Sequence, residues 1–276
     1  MITYLIYTFL TIISKFSLDT LYHISRFCKS LLMITFKYRK KIIWKNIHNS
    51  FPELKKIEIE KIIDEFYTFF SDTIFEIIKS INFNRKEIEK RVSIINQQAL
   101  NASINKKKPI ILLSSHYANW EWSFLRIALI EDIKLCAVYK PLSNHVLNMI
   151  LLKIRSKFGG ELISVDKWKY FILDNRNKAY TFMFISDQVP SSKKQGKRIN
   201  FLNQSTLFHE GAEKTARLLN ADVFYMDLVQ IKKGAYNLEL KPMSIDNITQ
   251  EYATLLEKTI KNKPASWLWS HNRWKR

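Results

Sequence analysis

From about residue 108 onward, short apolar runs alternate with amphipathic stretches, and this alternation constrains the fold more than any other feature of the chain. PIILLSS (109–115), KLCAVYK (134–140), ELISV (161–165), AYTFMFISDQV (179–189), ADVFYMDLVQI (221–231) and NLELKPM (237–243) read as strands. Between and after them, YANWEWSFLRIALI (117–130), HVLNMILLKIRSKFG (145–159), TLFHEGAEKTARLLN (206–220) and ITQEYATLLEKTIKN (248–262) read as helices. Gly159 and Gly160 supply a stop for the second of these. Strand and helix in alternation predict an α/β domain with a largely parallel central sheet flanked by helices. In such sheets ligands gather at the carboxyl ends of the strands. His116 and Asp187 both fall there.

The N-terminal part has another texture. Met1 to Ser14 carries no charge. That is shorter than the roughly 20 apolar residues a membrane span needs. Apolar character continues beyond it, broken by Asp19, His23, Arg26 and Lys29, and the basic run KYRKKIIWK (37–45) follows. No small-residue cleavage site marks a secretory signal. Basic residues beside an apolar segment mark the cytoplasmic side and attract anionic headgroups. Residues 1–45 are therefore expected to be a membrane-associated helical segment, either a single anchor or interfacial helices. Residues 46–276 form the α/β domain. Within 46–80, SFPEL offers a helix start. Phe66, Phe69, Phe70, Thr73, Ile74, Ile77 and Ile78 make one apolar stripe at three-four spacing, read as core rather than as a lipid groove.

Charge narrows the partners. The formal net charge of +19 points to a polyanionic partner or surface. With 7 Trp and 12 Tyr, a non-enzymatic protein binding nucleic acid or membrane is one reading, but no nucleic-acid motif appears. The two cysteines, Cys28 and Cys136, are far apart and form no metal-binding spacing. No metal and no cofactor are expected.

The chemistry concentrates in HYANWE, where His116 precedes Glu121 by five residues. On one continuous helix these side chains would point about 140° apart. They meet only if His116 lies in the turn before a helix and Glu121 in its first turns, with Ser115 as the cap. A carboxylate on one imidazole nitrogen then fixes the tautomer, and the other nitrogen serves as general base toward a substrate hydroxyl. A buried His–Glu pair with a structural role alone is the competing reading.

HYANWEW, VYKP (138–141), IRSKFGG (154–160), FISDQVP (184–190), TARLLNADVF (215–224) and SWLWSHNRWK (266–275) follow one another in an order that resembles the bacterial lipid A biosynthesis acyltransferases. These are the late lauroyl and myristoyl transferases of the lysophospholipid acyltransferase superfamily. NIHNSFPEL (46–54) fits as well, so the likeness runs over essentially the whole chain. The resemblance implies a glycerolphosphate-acyltransferase-like fold at the cytoplasmic face of the inner membrane. It implies His116 as catalytic base, Glu121 orienting it, Arg155 at an oxyanion or phosphate, and Asp187, beside Gln188, pairing with that arginine or with a substrate sugar. The implied donor is an acyl thioester of acyl carrier protein, and the implied acceptor an anionic glycolipid. KKK (106–108) and KKQGKR (193–198), read as a basic loop near the site, are candidates to dock either.

Two departures from the family pattern weaken acceptor recognition. Lys140 stands where an arginine is common, which leaves it a weaker binding candidate. His271, Asn272 and Arg273 carry one arginine where the family segment has two. Acylation of a glycerolipid or an aminolipid is the alternative within the same superfamily.

Overall fold

The computed structural model describes residues 2–190 and 196–275. Four helices come first: α1 (Ile2–Ile13), α2 (Leu18–Ser30), α3 (Lys40–Ser50) and α4 (Lys56–Lys79). There follow α5 (Arg85–Arg91), β1 (Val92–Ile95), α6 (Gln97–Asn105), β2 (Ile110–Ser114), α7 (Trp120–Ile127), β3 (Leu135–Tyr139), α8 (His145–Arg155), β4 (Glu161–Ser164), α9 (Trp168–Asp174) and β5 (Thr181–Ile185). The chain continues with β6 (Gly196–Phe201), β7 (Gln204–His209), α10 (Gly211–Leu219), β8 (Asp222–Lys232), β9 (Ala235–Met243) and α11 (Ile248–Asn262).

The central sheet has seven strands in the order β1-β9-β8-β2-β5-β3-β4. Its pairings are parallel except β8 with β9. β2 is buried along its whole length, as its uninterrupted apolar run requires of a strand covered on both faces. The α/β expectation holds.

Several local expectations change. The stretch read as one helical region over 46–80 is two helices, because Phe51 leaves the helical region and the chain turns through Pro52 before Lys55 caps α4. α3 also runs through the expected boundary at 45/46, and Asn46 Nδ2 donates to the Trp269 and His271 carbonyls at 2.9 Å each. Residues 206–209, read as the start of a helix, belong to β7, which pairs antiparallel with β6. Of the basic stretch 193–198, residues 193–195 lie outside the described residues, while Gly196, Lys197 and Arg198 are strand rather than loop. In the other basic stretch, Lys108 is tied to Asp222 at 2.9 Å.

At the N-terminus, α1 buries none of its residues, and Ile2, Tyr4, Leu5, Phe9 and Ile12 are exposed. Its end is tied down: Lys79 Nζ donates to the Ser14 carbonyl at 3.0 Å, and Asn82 Nδ2 to Ser14 Oγ at 2.6 Å. No helix among the described residues is long and apolar enough to cross a membrane.

Candidate active site

The sheet register builds the site. β2 and β5 are parallel neighbours with Ser114 opposite Ile185, and Ser186 N–H donates to the Ser114 carbonyl at 3.2 Å. Two residues past the ends of the strands, the same offset brings His116 beside Asp187. Asp187 Oδ1 lies 2.8 Å from His116 Nδ1, and Oδ2 accepts the His116 backbone N–H at 3.0 Å. Oδ2 also accepts the Trp267 indole N–H at 2.8 Å. Asp187 is 3% exposed. Burial alone would raise its carboxyl, but the His116 charge and these hydrogen bonds hold it below the usual carboxylate range.

The loop that carries His116 is clamped from the far end of the chain. Ala118 N–H donates to the Ser266 carbonyl at 2.9 Å, and Leu268 N–H to the His116 carbonyl at 3.1 Å. Ala118 has φ +53°, a left-handed conformation that a non-glycine residue holds only where its surroundings impose it. Helix α7 then starts at Trp120, capped by Asn119, whose Oδ1 accepts the Trp122 N–H at 3.1 Å. The cap is Asn119 rather than Ser115, but the arrangement expected of the motif is present: His116 in the turn, Glu121 in the first turn of the helix.

The pairing expected within the motif is different. Glu121 does not hydrogen-bond the His116 ring. Its carboxylate accepts Arg155 Nε at 2.7 Å and Nη2 at 2.5 Å, a bidentate pair, and the Trp120 indole N–H at 3.0 Å. The roles expected of the two acids are thus exchanged in geometry: Asp187 sits on the imidazole and Glu121 on the arginine. The reason is topological. α8 ends with Arg155 beside α7, whereas Asp187 arrives on the strand next to β2. Burial would raise the Glu121 carboxyl too, yet the Arg155 charge and hydrogen bonds keep it below its usual range. Arg155 is positioned by the turn after α8. Gly159 takes φ +86°, and a Cβ at Gly160 would lie 2.6 Å from the Phe124 ring.

Gln188 Nε2 lies 3.2 Å from His116 Nε2. With Nδ1 committed to a carboxylate, Nε2 is the nitrogen with a lone pair, and the Gln188 amide donates to it. Lys140 follows β3, is exposed, and forms no ion pair among the described residues. His116, Asp187, Gln188, Glu121 and Arg155 therefore come together, and Lys140 stands apart.

Three aromatic residues complete the site without having been singled out by sequence. The Trp120 ring meets the His116 ring edge-on at 5.0 Å. Trp267 holds Asp187 through its indole N–H. Tyr252 donates to the Ser114 carbonyl at 2.8 Å and closes the end of β2. The signal for Trp120 and Trp267 was the density of Trp around their segments; Tyr252 had none. Beyond them, His271 Nε2 accepts the Val189 N–H at 3.3 Å, and burial lowers that imidazole to about 4. Arg273 is 2% exposed and stacks over Phe208 at 4.6 Å.

Beside Trp120 and Trp267 opens an apolar cavity of about 90 Å³, partly open to solvent. Phe66, Phe69, Phe70, Ile74 and Ile77 of α4 line it, with Leu268 opposite. The α4 stripe expected to be core is buried at Phe66, Phe69 and Thr73, and every residue of it except Ile78 also lines this cavity. Among the described residues no group of His, Cys, Asp and Glu is arranged to hold a metal ion.

No curated protein matches the chain. The model of the bacterial lipid A biosynthesis acyltransferase family matches residues 1–276, and the chain belongs to that family.

Proposed function

We propose that the protein transfers a fatty acyl chain from an acyl thioester, carried on acyl carrier protein, to a hydroxyl of a lipid A precursor. The observation that carries this reading is the His116–Asp187 pair, with the His116 ring edge-on against Trp120, which also lines the apolar cavity beside α4. Asp187 keeps the proton on Nδ1, which leaves the Nε2 lone pair to act as the base. The acceptor hydroxyl takes the place of the Gln188 amide at Nε2 and loses its proton there as its oxygen attacks the thioester carbon. The carbon–sulfur bond then breaks, the thiol departs with the proton from the imidazolium, and the ester remains on the acceptor. Asp187 stabilises the imidazolium between these steps.

Arg155 spends two of its five N–H donors on Glu121. The remaining donors suit the developing oxyanion or an acceptor phosphate. The cavity suits the hydrocarbon of the donor, since it is apolar and reaches the base through Trp120.

The membrane reading takes the interfacial form. α1 has 12 residues, which makes it about 18 Å long at 1.5 Å per residue, against a hydrocarbon core of about 30 Å. Its exposed apolar residues and the basic residues 37–45 match a segment lying in the headgroup region on the cytoplasmic side of the inner membrane.

The test is a transfer assay in detergent. Purified protein receives acyl carrier protein thioesters of several lengths and an anionic, sugar-bearing lipid A precursor, and products are read by mass spectrometry. A gain of one acyl mass that disappears in His116→Ala supports the reading. Acylation of a lysophospholipid or aminolipid control, with the precursor untouched, overturns the acceptor. No transfer to any of them overturns the reaction.

A further inference from the structure

Glu76 of α4 has no exposed surface, yet its carboxylate collects four donors. Oε1 accepts the Tyr22 hydroxyl at 2.7 Å and the Gly234 N–H at 3.1 Å. Oε2 accepts the Tyr236 hydroxyl at 2.6 Å and Asn119 Nδ2 at 2.7 Å. The Glu76 carbonyl also accepts the Trp122 indole N–H at 3.0 Å. One residue of α4 thus holds both Asn119, the cap of α7, and Trp122, the residue after Glu121.

We propose that Glu76 is a positioning residue for acyl transfer, fixing Asn119 and through it the spacing between His116 on the loop and the Glu121–Arg155 pair on α7. This rests on the reading of function given above. The loop needs such a fixture, because Ala118, next to Asn119, is held in a left-handed conformation. An N-cap that drifts lets that residue relax and carries the imidazole with it.

A neighbouring acid supplies the contrast. Asp72, one turn earlier on α4, accepts from Ser25 of α2 and from Lys233 at the β8–β9 turn. Glu76 joins the same two places through Tyr22 and Gly234, but it alone adds the catalytic loop. A merely structural role predicts like behaviour for both acids. A positioning role separates them.

Glu76→Gln is disruptive for a definite reason. An amide nitrogen in place of Oε2 would face Asn119 Nδ2, and in place of Oε1 it would face the Gly234 N–H. Either way two donors oppose each other. Adding Asn119→Asp removes the conflict, because an aspartate there both caps α7 and accepts from the introduced amide.

The experiment measures kcat, KM and the His116 ring resonances by NMR, in full-length protein in detergent, for Glu76→Gln, Asn119→Ser, Asp72→Asn and the Glu76→Gln/Asn119→Asp pair. Asn119→Ser keeps a capping side chain while releasing Glu76, so it serves if Glu76→Gln folds poorly. The expected result is a fall in kcat of about 10²-fold at unchanged KM in Glu76→Gln and Asn119→Ser, with shifted His116 resonances. The double variant should regain most of the loss, and Asp72→Asn should keep wild-type kcat per folded molecule. Wild-type kcat and unshifted resonances in Asn119→Ser, no recovery in the double variant, or an equal loss of kcat in Asp72→Asn would each overturn the proposal. If the wild-type protein transfers no acyl group, the functional reading fails by itself, and the His116 resonances still decide the positioning.

Discussion

Asp187 and Glu121 stand at the same end of the same sheet, both nearly without exposure, and both below the usual carboxylate range. They differ in the partner each one faces. Glu121 faces a guanidinium, which never gives up its proton at physiological pH. Asp187 faces an imidazole, which does so readily. The first pair is a fixed feature of the site that holds α7 against α8. In the proposed reaction, the second gains and loses a proton during one turnover. A buried carboxylate is therefore not by itself a mark of proton-transfer chemistry; the partner that can change its protonation state is.

Variants that act on one pair and spare the other break the comparison most sharply. His116→Ala removes the base and should abolish transfer while the fold survives, as judged by circular dichroism and product mass; wild-type turnover would exclude His116. Asp187→Asn should lower kcat by about 10⁴-fold, the size of effect that a mis-set tautomer produces in a triad. On the other pair, Glu121→Ala leaves the buried part of Arg155 without its partner. Loss of one member of a buried pair costs about 3–5 kcal/mol, so the unfolding midpoint in denaturant should drop clearly. Unchanged stability there would mean the pair is solvated in solution.

Smaller effects sharpen the picture. Ile74→Trp fills the cavity wall and should shift the preferred donor to shorter acyl chains in a competition among thioesters, with little change for the shortest. An unshifted preference would place the hydrocarbon elsewhere.

The smallest effect is in pH. His271 is lowered from 6.5 to about 4. Between these values the unfolded chain binds the additional proton, so stability falls as pH drops through that window. The loss reaches about 3 kcal/mol at most. The depressed carboxyls of Asp187 and Glu121 add to it in the same direction at still lower pH, because their contribution is present above the ordinary carboxylate range and is lost as they protonate. Thermal unfolding from pH 7 to 4.5 should be less steeply pH-dependent in His271→Asn than in wild type. Identical slopes would remove His271 from this account.

What the sequence made legible follows from its periodicities. The apolar run of β2 and the strand ahead of Asp187 placed both residues at strand carboxyl ends without further information. Their contact was not legible. β5 sits beside β2 in the sheet although β3 and β4 intervene along the chain, and no local pattern encodes that order. Proximity in sequence favoured Glu121 as the partner of His116, and the sheet register favoured Asp187. The β6–β7 hairpin was missed for a local reason. Its turn sets Leu202 at φ +50° and Asn203 at φ +58°, and a leucine in the left-handed region sends none of the Gly or Asn-Gly signal that marks such turns. Thr206 to His209 then read as the start of the helix that follows them. The site's aromatic frame was visible only as tryptophan density, since what Trp120 and Trp267 touch depends on elements far apart along the chain.

The most direct test compares kcat for Asp187→Asn and Glu121→Gln in the mass-spectrometric transfer assay, normalised to folded protein. Asp187→Asn is expected to lose about 10⁴-fold in kcat, while Glu121→Gln, which keeps a hydrogen-bond acceptor toward Arg155, loses far less. Near wild-type activity in Asp187→Asn, with a collapse in Glu121→Gln, would contradict the assignment of Asp187 to the imidazole and return that role to Glu121.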